Sequence, residues 1–241
     1  MTEETRGRFL ESIRGDRQQY AGTGMPALDA VLGGGFAIGS ATLLGGLPGR
    51  GKSTLLLQAF AGIVATTGRP VLYAACEEPE ARIKLRAATR VTIPRRRLIM
   101  LQAPTLEELG REIAVRRDLV AVGVDTIHDL TTEAPVGSRA RLVYCAGTLT
   151  TWAQERGLIV LLLAHMNRKR TIAGPLTAEH LVDVVLVLEG RRHSARRRLI
   201  ADKNRFGGTD VVADFTMTAK GLVDGRVQSS PEEAGAEKDS V

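Results

Sequence analysis

The sequence predicts an α/β fold: a mainly parallel central sheet flanked by helices, with antiparallel strands at one edge. Three observations predict it. First, Gly46-Leu47-Pro48-Gly49-Arg50-Gly51-Lys52-Ser53-Thr54 fits the pattern G-x-x-x-x-G-K-[ST]; the apolar run Ala41 to Leu44 precedes it and the helical pattern Leu55 to Phe60 follows. Second, continuous apolar runs then alternate with helical stretches, as expected of strands buried on both faces of a parallel sheet. Third, beyond residue 181 three β-like runs follow one another with only short turns, which reads as a closing set, mostly antiparallel.

Taken in order, residues 1–19 read as an N-terminal helical segment, with Phe9 and Ile13 four apart on one face. A short helix entered at Pro26 ends in Gly33-Gly34-Gly35, which returns the chain into the first core strand. Strands are expected at 71–75, 98–101, 119–124 and 158–164, with helices near 79–90, 105–117 and 138–156 between them. Edge strands follow at 181–188, 196–203 and 211–218. The folded domain is set at 20–225. Residues 226–241 lack large apolar side chains apart from the final valine and read as a disordered tail.

A chain of 241 residues buries a full core as one domain. The longest apolar run, 157–164, is far below the roughly 20 residues of a membrane span, and the polar N-terminus is unlike a secretory signal. Cys76 and Cys145 form no metal-binding pair and read as reduced core residues, which points to a cytoplasmic protein without zinc. The net charge of +6 suits a polyanionic partner.

The chemistry centres on the glycine loop. Gly46, Gly49 and Gly51 let successive N–H groups converge on a triphosphate, with Thr54 ending the motif, and the start of the following helix adds its positive dipole end. Arg50 belongs to the same loop. Lys52 reaches the β and γ phosphates, and the Ser53 hydroxyl holds Mg²⁺. Asp125, at the carboxyl end of a buried strand, orients the same ion. Hydrolysis needs a group to position water, and Glu77 or Glu78 supplies it, the other capping the next helix; spacing leaves the choice open. Lys203 and Arg205, two apart on a strand, project together; they form either a solvated basic hairpin or a pair that neutralises a transferring phosphoryl group across subunits. Arg168, Lys169 and Arg170 leave a strand end on a loop suited to a phosphate backbone, whereas the arginines of 191–198 read equally as plain surface. His165 is either a γ-phosphate sensor or a satisfied core histidine.

Read in order, these segments resemble the bacterial RadA (Sms) family of RecA-like P-loop ATPases, related to DnaB-type helicases. The matches are Thr23-Gly24 with Leu28-Asp29, Val31 to Gly35, the glycine loop, Val71-Leu72-Tyr73 with Glu77-Glu78, and Ile83 to Ala87. Later matches are Ile172 to Pro175, Glu179 to Leu186, Leu188-Glu189-Gly190 and Lys203-Asn204-Arg205-Phe206-Gly207. The resemblance implies ATP and Mg²⁺ at subunit interfaces of a homo-oligomeric ring, taken as a hexamer, with single-stranded DNA in its channel. It implies Glu77 as the catalytic glutamate, Lys203 and Arg205 as the trans-acting pair, and DNA-binding loops at about 166–176 and 128–140. Family members carry a four-cysteine zinc module and a Lon-protease-like domain, and the sequence shows neither. Met166 to Arg170 departs from the family form, Cys76 replaces a small residue, and Pro79 follows the glutamates.

The sequence therefore points to a DNA-stimulated ATPase of recombination and repair, a translocase or helicase among the options. A nucleotide-gated regulator without motor activity and a signalling-type kinase of the same superfamily are the rival readings.

Overall fold

The computed structural model describes residues 17–94, 96–167, 177–191 and 193–229. The expected N-terminal helix falls largely outside them, and residues 17–19 are not helical. Strand β1 (Tyr20–Ala21) pairs antiparallel with β2 (Phe36–Ala37) around helix α1 (Pro26–Leu32). Pro26 opens α1, where its missing N–H costs no hydrogen bond, and Gly33 closes it in the left-handed region at φ 82°. Then follow β3 (Ala41–Gly46), α2 (Lys52–Thr67), β4 (Val71–Ala75), α3 (Glu80–Arg90), β5 (Leu98–Gln102), α4 (Leu106–Val115) and β6 (Ala121–Asp125). The chain continues through α5 (Ser138–Arg156), β7 (Ile159–His165), α6 (Thr177–Leu181), β8 (Val184–Glu189), β9 (Arg196–Asn204), β10 (Val211–Thr218) and β11 (Gly221–Ser229).

The main sheet has nine strands in the order β11-β10-β9-β8-β3-β7-β6-β4-β5. From β8 to β5 all neighbours are parallel, and β9, β10 and β11 close the opposite edge antiparallel. Two expectations are corrected. The 181–188 run is not an edge strand: β8 pairs parallel with β3 and antiparallel with β9, and its residues Val184 to Leu188 are all buried, the mark of an interior strand. Nor does disorder begin at 226. Val211 pairs with Ser229 and Ala213 with Val227, so β11 carries the ladder through the expected boundary at 225. Its last residues are exposed, and backbone pairing rather than apolar burial holds them, which is why hydropathy did not mark them.

Alternate strand residues feed two cores. Tyr73 and Leu163 face α2, where Leu56, Phe60 and Ile63 are fully buried; Leu72, Val122 and Leu162 face α4 and α5 through Leu109, Cys145 and Leu149. The result is a sheet covered on both faces, with the carboxyl ends of β3, β4, β6 and β7 at one rim.

Candidate nucleotide site

Gly49 (φ 72°) and Gly51 (φ 105°) give the loop after β3 its curl, in a region that a side chain would resist. The contrast between two helix starts is informative. Helix α4 has a capping box in which Thr105 and Glu108 satisfy each other's backbone N–H, whereas α2 begins at Gly51 with no side-chain cap. An anion is what an uncapped helix start can hold. Lys52 is 6% exposed, and its Nζ donates to the Gly46 carbonyl at 2.8 Å and to the Leu47 carbonyl at 3.4 Å. Burial pushes its ammonium below the ordinary value, with the charges of Asp125 and Glu77 pulling the other way. The lysine rests on carbonyls that phosphate oxygens can replace.

Asp125 closes β6 at 3% exposure and organises its surroundings through both backbone and side chain. Its carbonyl accepts the N–H groups of Cys76 at 2.8 Å and Glu77 at 3.0 Å, which fixes the turn after β4 against β6. Its Oδ2 accepts the hydroxyl of Tyr73. The Tyr73 phenol is held well above its ordinary range, first by burial, then by the charge and hydrogen bond of Asp125, with Arg86 and a Ser53 hydrogen bond opposing. Tyr73 thereby joins the two expected Mg²⁺ residues, Ser53 on α2 and Asp125 on β6. Sequence reasoning missed it, although a tyrosine within an apolar strand signals a buried hydroxyl in need of a partner.

The two glutamates separate. Glu78 is paired with Arg86 of α3 at 2.7 Å. Glu77 stays about half exposed, and its Oε2 lies 3.3 Å from His165 Nε2 at the end of β7. Asp129 joins them: ligand atoms of Glu77, Asp129 and His165 lie within 4.8 Å of one another, and the Thr126 hydroxyl donates to Asp129 at 2.7 Å. Asp129 was not singled out from sequence, where it is one more polar residue of a loop. The His165 N–H faces His128 Nδ1 at 3.4 Å, and the two rings stand 5.7 Å apart. His165 is thus the side chain of β7 that meets the candidate catalytic carboxylate. Cys76 is pushed up to about 12 and Cys145 to about 11, both mainly by burial, so both are thiols rather than thiolates at neutral pH.

Lys203 and Arg205 are brought together, but neither projects freely. Lys203 Nζ donates to the carbonyls of Glu179, His180 and Val182, the last at 2.6 Å, and Arg205 Nη1 is 3.0 Å from Asp183 Oδ1. Register places them far from their own glycine loop. Lys203 lies opposite Val185, which lies beside Leu43, whereas the loop leaves β3 at the other end, beyond Gly46. Arg168, Lys169 and Arg170 lie outside the described residues. The segment leading to them is anchored: the Met166 N–H donates to the Gly46 carbonyl at 3.3 Å. In the 128–140 loop, Glu107 of α4 accepts from the Thr132 hydroxyl at 2.6 Å and from Glu133 N–H at 3.0 Å, so that loop is tied to α4.

Residues 21–92, which contain the glycine loop and Glu77, match the family model described as "ATPase: KaiC". Proteins named DNA repair protein RadA are similar over most of the chain. That of Listeria monocytogenes is 37% identical over 217 residues, 89% of this chain and 47% of its own length. Those of Rickettsia bellii (39% over 201 residues, 82% and 44%) and Haemophilus influenzae (36% over 202 residues, 83% and 43%) agree. These curated homologues, at 36% to 39% identity, carry the RadA name. The chain spans about half the length of these curated RadA relatives. Solved structures of the same fold include the RadB recombinase (TM-score 0.67, 23% identity, 86% of this chain and all of that one). A KaiC-like protein of Pyrococcus horikoshii OT3 superimposes with TM-score 0.70 at 18% identity, over 87% of this chain and all of that one. The fold is therefore a RecA-like P-loop ATPase fold, as the sequence predicts. Among the described residues no helix is long and apolar enough to cross a membrane.

Proposed function

We propose that the chain is the ATP-hydrolysing segment of a RadA-type repair ATPase, working in the cytoplasm on single-stranded or branched DNA as part of a homo-oligomeric ring. The convergence of Lys52, Asp125, Glu77 and His165 at one rim of the sheet is the observation that carries this reading. The loop amides and Lys52 bind the triphosphate, the lysine exchanging the Gly46 and Leu47 carbonyls for phosphate oxygens. Magnesium, when bound with nucleotide, neutralises phosphate charge, and Ser53 and Asp125, already linked through Tyr73, would hold it. Glu77 holds and orients the attacking water, since Glu78 is committed to Arg86. His165, in contact with Glu77, senses the state of the γ-phosphate and passes it to the adjoining basic loop. Lys203 and Arg205 act on the nucleotide of the next copy, being at the wrong end of the sheet for their own.

The test is phosphate release with and without single-stranded DNA at low salt. Glu77→Gln should lower turnover by roughly 10²–10⁴-fold while nucleotide still binds. Glu78→Gln should keep most of it, and Lys52→Ala should lose binding. Turnover indifferent to both DNA and Glu77→Gln would sink the proposal. One observation favours a second reading, a nucleotide-gated regulator: Lys203 and Arg205 are both engaged within their own chain. That reading requires tight ATP binding with no response of turnover to DNA.

A further inference from the structure

The opposite flank of the glycine loop, away from Glu77, carries a second feature. A cleft of about 910 Å³ opens between the loop, the ends of β7 and β8, and the face formed by β9, β10 and β11. Arg50, Arg191, Arg196, Arg197, Arg198 and Arg226 line it, against two carboxylates among the described residues, Glu189 and Asp214. Asp214 is within 3.4 Å of Arg198 and answers part of that charge. One arginine at the edge of the cleft, beside the glycine loop and on the face of β9 opposite Arg196 and Arg198, is fixed by the fold. Arg197 is 7% exposed, and its Nε donates to the Arg50 carbonyl at 2.8 Å while its Nη1 donates to the carbonyls of Ser194 and Arg196. The guanidinium is held below its ordinary value by burial and by the like charge of Arg50. Gathering like charges around a concave surface focuses a positive potential there, and guanidinium forks fit phosphate oxygens two at a time.

The layout favours a polymer over a single small anion. Arg196 and Arg198 are exposed on β9 at i and i+2, about 6.6 Å apart along the strand, and Arg226 continues the row two strands away on β11. Met166 and Asn167 sit on the rim and lead in sequence directly into the basic segment 168–170. We propose that this arginine cleft is a track for the phosphate backbone of single-stranded nucleic acid, laid against the glycine loop. The proposal rests on the DNA-binding reading above and adds where the strand runs. Arg197, with its bond to the Arg50 carbonyl, places the track one hydrogen bond from the nucleotide loop.

The experiment measures the affinity of a fluorescein-labelled oligothymidylate by anisotropy across a salt series, for the full chain and for Arg191→Gln/Arg196→Gln/Arg226→Gln. These three side chains are exposed, so the variant keeps its fold, which circular dichroism checks. Losing three phosphate contacts should weaken binding at least about tenfold at low salt and make the log–log salt slope shallower by about 2. An unchanged slope in a variant that still binds overturns the track while leaving the DNA reading intact. An unchanged slope accompanied by loss of self-association instead assigns the cleft to an interface between copies. No binding by the wild-type chain removes the DNA reading itself, and the track with it.

Discussion

Tyr73 shows how much of this site depends on one side chain between the named motifs. It is fully buried on β4, its ring packs edge-on to Phe60 at 6.3 Å, and its hydroxyl serves the carboxylate of Asp125, itself 3% exposed. Tyr73→Phe keeps the packing and removes the donor, leaving a buried carboxylate short of a partner, which should cost about 1–3 kcal/mol. The pH dependence has a definite sign. A phenol whose folded value lies above its ordinary 10.0 keeps its proton more firmly when folded, so its contribution is whole below that pH and is lost as the pH rises beyond it. The melting temperature of the wild-type chain should therefore fall more steeply above about pH 10 than that of Tyr73→Phe, followed by circular dichroism. Parallel curves would remove Tyr73 from this role. The choice between Glu77 and Glu78 belongs to the same scale. Both stand side by side in sequence, and they are distinguished by Arg86 of α3, which takes Glu78, and by His165 of β7, which meets Glu77. No spacing rule supplies those tertiary contacts.

At the scale of elements the sequence was legible wherever burial set the pattern. The β4 run, the β10 run and the span of α5 follow directly from apolar runs and helical periodicity, because each packs against a core. Legibility failed where hydrogen bonding set the element: β1 and β2 are two residues each, and most of the second half of β11 is exposed. The Thr23-Gly24 and Leu28-Asp29 signature gains a physical meaning in the structure. Asp29 accepts from the Thr23 N–H at 2.9 Å and from its hydroxyl at 2.8 Å, which knots the entry to α1 against α2. At the contact, a Cβ on Gly62 of α2 would fall 1.7 Å from the Thr23 carbonyl oxygen. Helix propensity alone favours alanine over glycine by about 1 kcal/mol. The clash should win, so Gly62→Ala should lose about 1–3 kcal/mol net and lower the thermal midpoint by several degrees. A midpoint equal to or above wild type would mean that the knot is loose in solution.

For the whole molecule, the decisive feature is the distance between two sets of residues that the sequence linked to one reaction. Lys52, Glu77 and Asp125 gather at the carboxyl rim of the parallel strands, whereas Lys203 and Arg205 sit near the start of β8, bonded to the 179–183 segment. The Gly33 turn packs there too: a Cβ on Gly33 would meet the Phe206 carbonyl oxygen at 3.2 Å, so two signatures far apart in sequence form one surface. A sequence lists such residues without saying how far apart they fold, and strand register supplies that separation within one chain. If each nucleotide lies between copies, a chain with Lys52→Ala lacks its own binding loop but still offers Arg205, while Arg205→Ala does the reverse. Each variant alone should turn over ATP far more slowly than wild type. Mixed in equal amounts under conditions that permit subunit exchange, they should recover up to about a quarter of wild-type activity, since random pairing unites an intact loop with an intact arginine at that fraction of interfaces. Sedimentation run on the same mixtures checks that copies associate. Associated mixtures with activity no higher than the mean of the two variants would show that Arg205 serves its own chain, through its bond to Asp183 at the base of β8.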